Sequence, residues 1–400
     1  MQRSEAAWAA MRRHIRSASF ARTDQHTFGS DRTQRIPPAV AYKDSDATTE
    51  GPFGVRLARD SVGRPRLLGK GAIPFKDRCI SNALMVADHL LSRRLAEKYV
   101  APHRGKHLAK VRRHLEANGP GTLYPIDRRN NLSPEEFRRE YLLPGIPVVL
   151  AGAAKDWPCI GKWTLDYFAA HYGDDKVTIT SGVPYHDPRI EREYVLMREV
   201  IENANPEDLK YLRFHPMLAL HPELVDDFPY GWFATQKGRR HLYTQLQFFI
   251  GTKGTQTGTH NSQMANLFVM VSGEKIWYLH PPAYTAFMDP MTSRSVYRLS
   301  RHNTGQVFEQ PYWPLDGYKV HLREGDVLWN PPFYWHSVEN LTDTIGVGYR
   351  WNDKRLAVSQ SLTMFLLDWL AINPTWYHMF KVGRDETRRM LRKGGRKSTG

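Results

Sequence analysis

Seven short runs rich in β-branched and aromatic residues crowd the stretch from 242 to 349, each fenced by glycine or by a Pro-Pro pair. The runs are Leu242–Ile250, Asn266–Val271, Lys275–Leu279, Tyr318–Leu322, Asp326–Asn330, His336–Glu339 and Thr344–Tyr349. Turn signals fall at Gly251, Gly254, Gly273, Pro281-Pro282, Gly325 and Pro331-Pro332. Many short strands joined by tight turns imply a sandwich or barrel. No repeat of fixed period runs through them.

Upstream the pattern is helical or irregular. Residues 23–78, with Pro37-Pro38 and Gly51-Pro52, read as irregular chain. From Ser81 the spacing of Leu84, Ala87, Leu91, Leu95 and Tyr99 predicts a helix buried along that face, interrupted at Pro102 and Gly105. A second basic helix through Leu108, Val111 and Leu115 follows. Ser133-Pro134-Glu135-Glu136 is a capping-box helix start. Pro147–Leu150 reads as a buried strand, Leu165–Tyr172 as a helix stopped by Gly173, and Val177–Thr180 as another strand. Residues 356–380 turn helical again (Leu362, Phe365, Leu366, Trp369, Leu370). The expected layout is an extension over 1–120, a β domain over 121–355 and a helix with basic tail over 356–400.

Charge follows the same division. The net charge of +15 resolves into +12 over residues 1–120, +6 over 381–400 and −3 between them. Basic ends suit nucleic acid or an acidic partner, or simply solubility with nonspecific attraction to polyanions. No zinc-finger or RNP-like pattern favours the first. Only Cys79 and Cys159 are present, which excludes a disulfide framework and points to a reducing, cytoplasmic setting. No run of about 18 apolar residues predicts a membrane span, and no secretory leader is evident. The Arg-rich residues 1–22 read as a basic helix or a weak transit-peptide signal.

Two histidines stand out as candidate metal ligands, although a lone histidine is more often structural or exposed. His260 stands where the loop Gly254-Thr255-Gln256-Thr257-Gly258-Thr259 enters a strand, and His336 stands 76 residues on, after Phe333-Tyr334-Trp335. A non-haem iron(II) centre needs two imidazoles and usually a carboxylate on one face, leaving positions for a co-substrate and dioxygen. Strands on facing walls of a barrel are expected to bring such ligands together. Thr257 and Asn266 flank His260, and Lys275 opens the apolar run Lys275-Ile276-Trp277-Tyr278-Leu279. By alternation Lys275 shares a face with Trp277 and Leu279. It either points inward, where burial demands an anionic partner, or is solvated beside Gly273-Glu274.

The segments Asn131–Phe137, Gly145–Leu150, Ala153–Pro158, Gly254–His260, Asn266–Pro282 and Gly325–Leu341, in that order, resemble those of the cupin-like JmjC domains. The resemblance covers roughly residues 124–352. It implies a mainly β core, a double-stranded β-helix of jelly-roll (cupin) type with flanking α-helices, together with iron(II), 2-oxoglutarate and dioxygen. Hydroxylation or N-demethylation of a protein, peptide or small molecule would be the reaction. By position, His260 and His336 are implied iron ligands, Thr257 and Lys275 hold the 2-oxoglutarate carboxylate, and Asn266 lines the site. The family pattern His-x-Asp reads His260-Asn261-Ser262 here, and a neutral hydroxyl is a poor iron(II) ligand. Three expectations follow. The site is an oxygenase completed by water on Ser262 or by a carboxylate from elsewhere; or the open position admits an anion, as in halogenases that lack the acid; or the barrel is a non-catalytic binding module.

Tyr185-His186-Asp187 and Asp226-Asp227 are surface-loop features that also offer a carboxylate. Trp277, Trp313, Trp329, Trp335 and Trp351 suit an aromatic groove or, for most of them, core packing. Arg388-Arg389, Arg392-Lys393 and Arg396-Lys397 read as a solvated tail.

Overall fold

A computed structural model describes residues 68–69, 71–181, 193–202, 210–238, 244–292, 295–302 and 314–372, with four isolated positions beyond. All belong to the unit spanning 48–400. The stretches 1–67, Tyr185-His186-Asp187, Trp313 and nearly all of the basic tail lie outside the described residues.

In chain order the strands are β1 (Leu123–Pro125), β2 (Arg128–Arg129), β3 (Val148–Leu150), β4 (Lys176–Ser181), β5 (Glu193–Leu196), β6 (Lys210–His215), β7 (Thr244–Gly251) and β8 (Gln256–Ser262). Then come β9 (Ala265–Ser272), β10 (Lys275–His280), β11 (Pro290–Met291), β12 (Tyr297–Ser300), β13 (Gly317–Leu322), β14 (Val327–Asn330), β15 (Trp335–Asn340) and β16 (Thr344–Trp351). They form a seven-stranded sheet, β1-β13-β10-β15-β8-β12-β11, and a nine-stranded sheet, β2-β3-β14-β9-β16-β7-β6-β4-β5. Apart from the short parallel pairs β1–β13 and β2–β3, every pairing is antiparallel. This is the expected cupin-type β core with flanking helices.

Alternation sorts the strand residues into layers. On β9, Leu267, Val269 and Val271 join a core between the nine-stranded sheet and the helices Pro134–Phe137, Leu165–Tyr172 and Tyr230–Lys237. Phe268 and Met270 turn the other way and meet Trp277, Leu279, Val320 and Val338 of the seven-stranded sheet. Gly346 on β16 keeps that interior open, because a Cβ there would come within 2.3 Å of the Phe268 ring. On the far side of the seven-stranded sheet, Val111 and Leu115 pack with Tyr284, Phe287, Met288 and Trp335.

The N-terminal helices depart from expectation. The first begins at Phe75, inside the stretch read as irregular, and runs to Leu90. Its buried stripe is Asp77, Met85 and His89, while Leu95 and Tyr99 are exposed. Lys110 Nζ donates to Asp77 at 2.6 Å and His107 meets Ser81 at 2.9 Å, so these helices join through polar contacts that hydrophobic spacing does not register. Nor do Pro102 and Gly105 interrupt the chain. A π-helical turn, Ala96–Val100, leads straight into the helix Ala101–Glu116, whose first turn holds Pro102, where a missing N–H costs nothing. The capping box at Ser133 forms as read: Ser133 Oγ accepts from Glu136 N and Glu136 accepts from Ser133 N.

No helix among the described residues is long and apolar enough to cross a membrane.

Candidate active site

β8 and β15 lie side by side in the seven-stranded sheet, with His260 and His336 directly opposed in their register. The two ring centroids are 4.1 Å apart. The expectation of facing walls is therefore corrected: both imidazoles come from one wall. Directly opposed residues on antiparallel strands approach closely enough to share a ligand without any help from the barrel's curvature.

Each ring is oriented by its own backbone. His260 Nδ1 stands 2.8 Å from the Gly258 carbonyl, and His336 Nδ1 stands 2.9 Å from that of Tyr334. A carbonyl only accepts, so each Nδ1 donates its proton and each Nε2 retains a lone pair. Burial, the other imidazole and the charges of Arg350 and Arg213 hold His260 well below the usual histidine range. Burial and Arg350 push His336 down to about 4. Both rings are thus neutral at pH 7, the form that ligates a metal. The turn before His336 is also pinned: Phe333 takes φ +62°, and its N–H donates to the Ser262 carbonyl at 2.8 Å. Tyr297 lies against His260 at 4.7 Å with the rings tilted by 30°, and Trp277 lies nearly parallel to His336 at 5.3 Å.

Lys275 is wholly buried, so the solvated alternative does not hold. Its Nζ donates to Tyr211 Oη at 3.0 Å and lies over the Phe268 ring. Thr257 is buried, with Arg213 Nη1 at 3.4 Å from its hydroxyl. Asn266 is buried, and neither side-chain amide atom has a hydrogen-bond partner. The structure therefore gathers His260, His336, Thr257, Asn266 and Lys275 on the inner faces of the two sheets.

The Ser262 hydroxyl accepts from Met264 N at 3.3 Å. Among the described residues no group of three His, Cys, Asp or Glu side chains is placed to hold a metal ion. Of the pair Asp226-Asp227, read as surface features that also offer a carboxylate, Asp227 takes hydrogen bonds from Lys162 at 2.6 Å and Trp163 Nε1 at 3.1 Å, beside the core that packs against the nine-stranded sheet. The tryptophans divide likewise. Trp277 lines the interior, Trp329 and Trp351 stack in the outer core at 5.5 Å, and Trp335 packs under the N-terminal helices.

Sequence reasoning missed Tyr211, Arg213, Tyr297 and Arg350. β6 and β12 were not identified as strands, so their inward residues carried no signal. Arg350 did carry one, as a lone cation between Tyr349 and Trp351 in an apolar run, the same signal that singled out Lys275.

Residues 134–356 match the family model described as a cupin-like domain. Lysine-specific demethylase JMJ30 of Arabidopsis thaliana is 28% identical over 238 residues, covering 57% of this chain and 55% of the relative. Lysine-specific demethylase 8 of Xenopus tropicalis is 26% identical over 231 residues, 55% of this chain and 51% of the relative. The human bifunctional peptidase and (3S)-lysyl hydroxylase JMJD7 is 24% identical over 277 residues, 58% of this chain and 85% of the relative. The chain spans little more than half the length of the first two. A match over more than half of the sequence, on a β core of the same type with its histidine pair inside, places this chain in the cupin-like JmjC family.

Proposed function

We propose that the chain is an iron(II)- and 2-oxoglutarate-dependent oxygenase, a hydroxylase of a protein, peptide or small molecule, with residues 121–355 as its catalytic domain. The observation that carries this reading is the opposed histidine pair, each Nδ1 tied to a carbonyl and each neutral Nε2 left to ligate. The residues fit a metal with two protein ligands. His260 and His336 would hold iron(II), and Ser262, whose O–H remains free to donate, would hold a water in the acid's place. Iron(II), 2-oxoglutarate and dioxygen would together supply the oxidant for C–H hydroxylation, one oxygen atom going to the substrate and the other to succinate as the co-substrate loses CO2. Lys275, with the hydroxyls of Tyr211 and Thr257, would anchor a carboxylate of 2-oxoglutarate. Asn266 offers unpaired amide groups to the same ligand, while Trp277 and Phe268 exclude water. The two free cysteines accord with a reducing compartment.

Purified full chain, supplied anaerobically with iron(II) and 2-oxoglutarate and then with oxygen, is expected to release succinate even without prime substrate. The His336→Ala variant is expected to release none. Protein that binds no iron and forms no succinate at saturating iron(II) would overturn the proposal. The same result would establish the second reading, a non-catalytic barrel that binds an anionic ligand, which the missing third ligand favours.

A further inference from the structure

The polar groups buried around the histidines include a cation that the oxygenase reading does not use. Arg350 lies on the inner face of β16, 7% exposed, and its Nε has no hydrogen-bond partner. No acid pairs with it among the described residues. Its guanidinium lies 5.3 Å from the centroid of the Phe214 ring. A buried guanidinium nitrogen without an acceptor is costly, and beside it Asn266, the partner of Arg350 in the β16–β9 register, has both amide atoms unsatisfied. Gln247 Oε1 and Asn330 Oδ1 are also orphaned. Native interiors rarely leave such groups clustered without a ligand to satisfy them.

Lys275 makes a separate pole. Its Nζ lies over Phe268, and Arg213, held over the Tyr211 ring at 5.2 Å, adds a second positive charge on that side. Phe268 and Asn266 are two residues apart on β9, so the poles are offset by roughly 7 Å at the rise of a strand. An extended five-carbon diacid, with about 5 Å between its carboxyl carbons, spans that step. The backbone is bent to build the site. Phe214 takes φ +58°, where the β6–β7 register shifts between Leu212 and His215, and its ring is placed between Tyr297 and Arg350.

We infer that Arg350 with Asn266 forms a second carboxylate-binding pole, so that the barrel holds a linear dicarboxylate at both ends through protein groups alone, without a metal. The inference rests on the reading of Lys275 as a carboxylate anchor. It also accounts for the missing acid at residue 262: a guanidinium already neutralises the inner carboxylate that a metal would otherwise have to bind.

Calorimetric titration of the chelator-treated full chain tests this, using 2-oxoglutarate, glutarate and the monocarboxylate valerate. Glutarate lacks the keto group needed to chelate iron. The expected result is metal-free binding of both diacids with Kd values within about fivefold of each other, and valerate at least about tenfold weaker. Arg350→Gln is expected to weaken both diacids at least about tenfold and to leave valerate unchanged, and Arg350→Lys to recover part of the loss. The comparison of diacid with monoacid needs no variant, so a misfolded Arg350→Gln protein leaves the test intact. Diacid binding that requires iron(II), or that is no tighter than valerate, overturns the inference. Iron-dependent succinate release without metal-free binding would sink the second pole and keep the oxygenase. Metal-free diacid binding with no succinate release would do the reverse.

Discussion

Ser262 is the residue on which the chemistry turns. It follows His260 by two positions on β8 and so shares its face, but it offers a hydroxyl where a carboxylate would both ligate and neutralise. Ser262→Asp is expected to raise iron(II) affinity at least about tenfold, since even groups that merely orient metal ligands shift affinity by that order. Anaerobic iron(II) titration reads it, and an unchanged affinity would mean that residue 262 does not face the ligating nitrogens. Much at this scale was legible. Thr257, His260, Asn266 and His336 were picked out chiefly by the resemblance to the cupin-like JmjC domains and Lys275 also as a charge in an apolar run, and all five lie on the inner faces of the two sheets. What was not legible is pairing. That two histidines 76 residues apart oppose each other follows from the β8–β15 register, which hydrogen bonding between distant segments decides. Tyr211 escaped notice for the same reason, because nothing in Lys210–His215 marks a tyrosine as the partner of a lysine 64 positions away.

The elements behind the site show a similar limit. The helix Leu362–Trp369 lies within the stretch 356–380 read as helical, but it buries Met364, Leu367 and Asp368. It leaves Leu362, Leu366 and Trp369 of the expected apolar stripe exposed, and Ser361 Oγ caps it by accepting from Met364 N. Its attachment is polar. Arg298 on β12 and Asp368 on the helix form an ion pair with both side chains fully buried, and Arg298 Nη2 also donates to the Met364 carbonyl at 3.2 Å. Asn261, next to His260, reaches Met364 Sδ at 3.5 Å. This helix therefore braces the outer side of the strands that present His260 and Tyr297. Arg298→Met is expected to cost on the order of 3–5 kcal/mol, because it leaves Asp368 buried without its partner. Adding Asp368→Leu is expected to restore most of that stability. Urea midpoints of the single and double variants decide it, and a double variant as weak as the single would show that the buried charge is not the source of the loss. β8 illustrates the opposite error. Its glycine and threonines read as loop up to His260, yet β12 and β15 on either side supply the pairing that makes Gln256–Ser262 a strand.

Across the whole molecule, buried histidines give stability a definite pH sign. Burial pushes His215 and His280 down to about 4, and His215 Nδ1 has no partner to offset the penalty. In the unfolded chain such groups titrate near 6.5. Between about 6.5 and 4 the unfolded state therefore binds protons that the native state refuses, and stability falls as pH falls through that window. The slope is about 1.4 kcal/mol per pH unit for each such histidine, and the site pair acts in the same direction. Asp368 acts against it. Burial raises its carboxyl to about 6 despite Arg298, so the native state holds that proton and loses stability as pH rises from about 3.8 to 6. Burial raises the carboxyls of Asp289 and Glu339 as well, and they act as Asp368 does. Five depressed histidines, His215, His260, His280, His302 and His336, against three raised carboxyls still leave the net sign clear: equilibrium stability in urea should decline steadily from pH 6.5 to 4.5. His280→Asn should flatten the decline, since it removes one of the groups that must stay neutral. The ring fits tightly, with a Cβ on Gly317 coming within 2.5 Å of its Nδ1, so a smaller side chain is the safer replacement. Stability that is flat or rises toward pH 4.5 would show that these imidazoles accept protons in the folded chain. The low-dielectric interior that keeps His260 and His336 neutral would then be lost as an argument for the site as well.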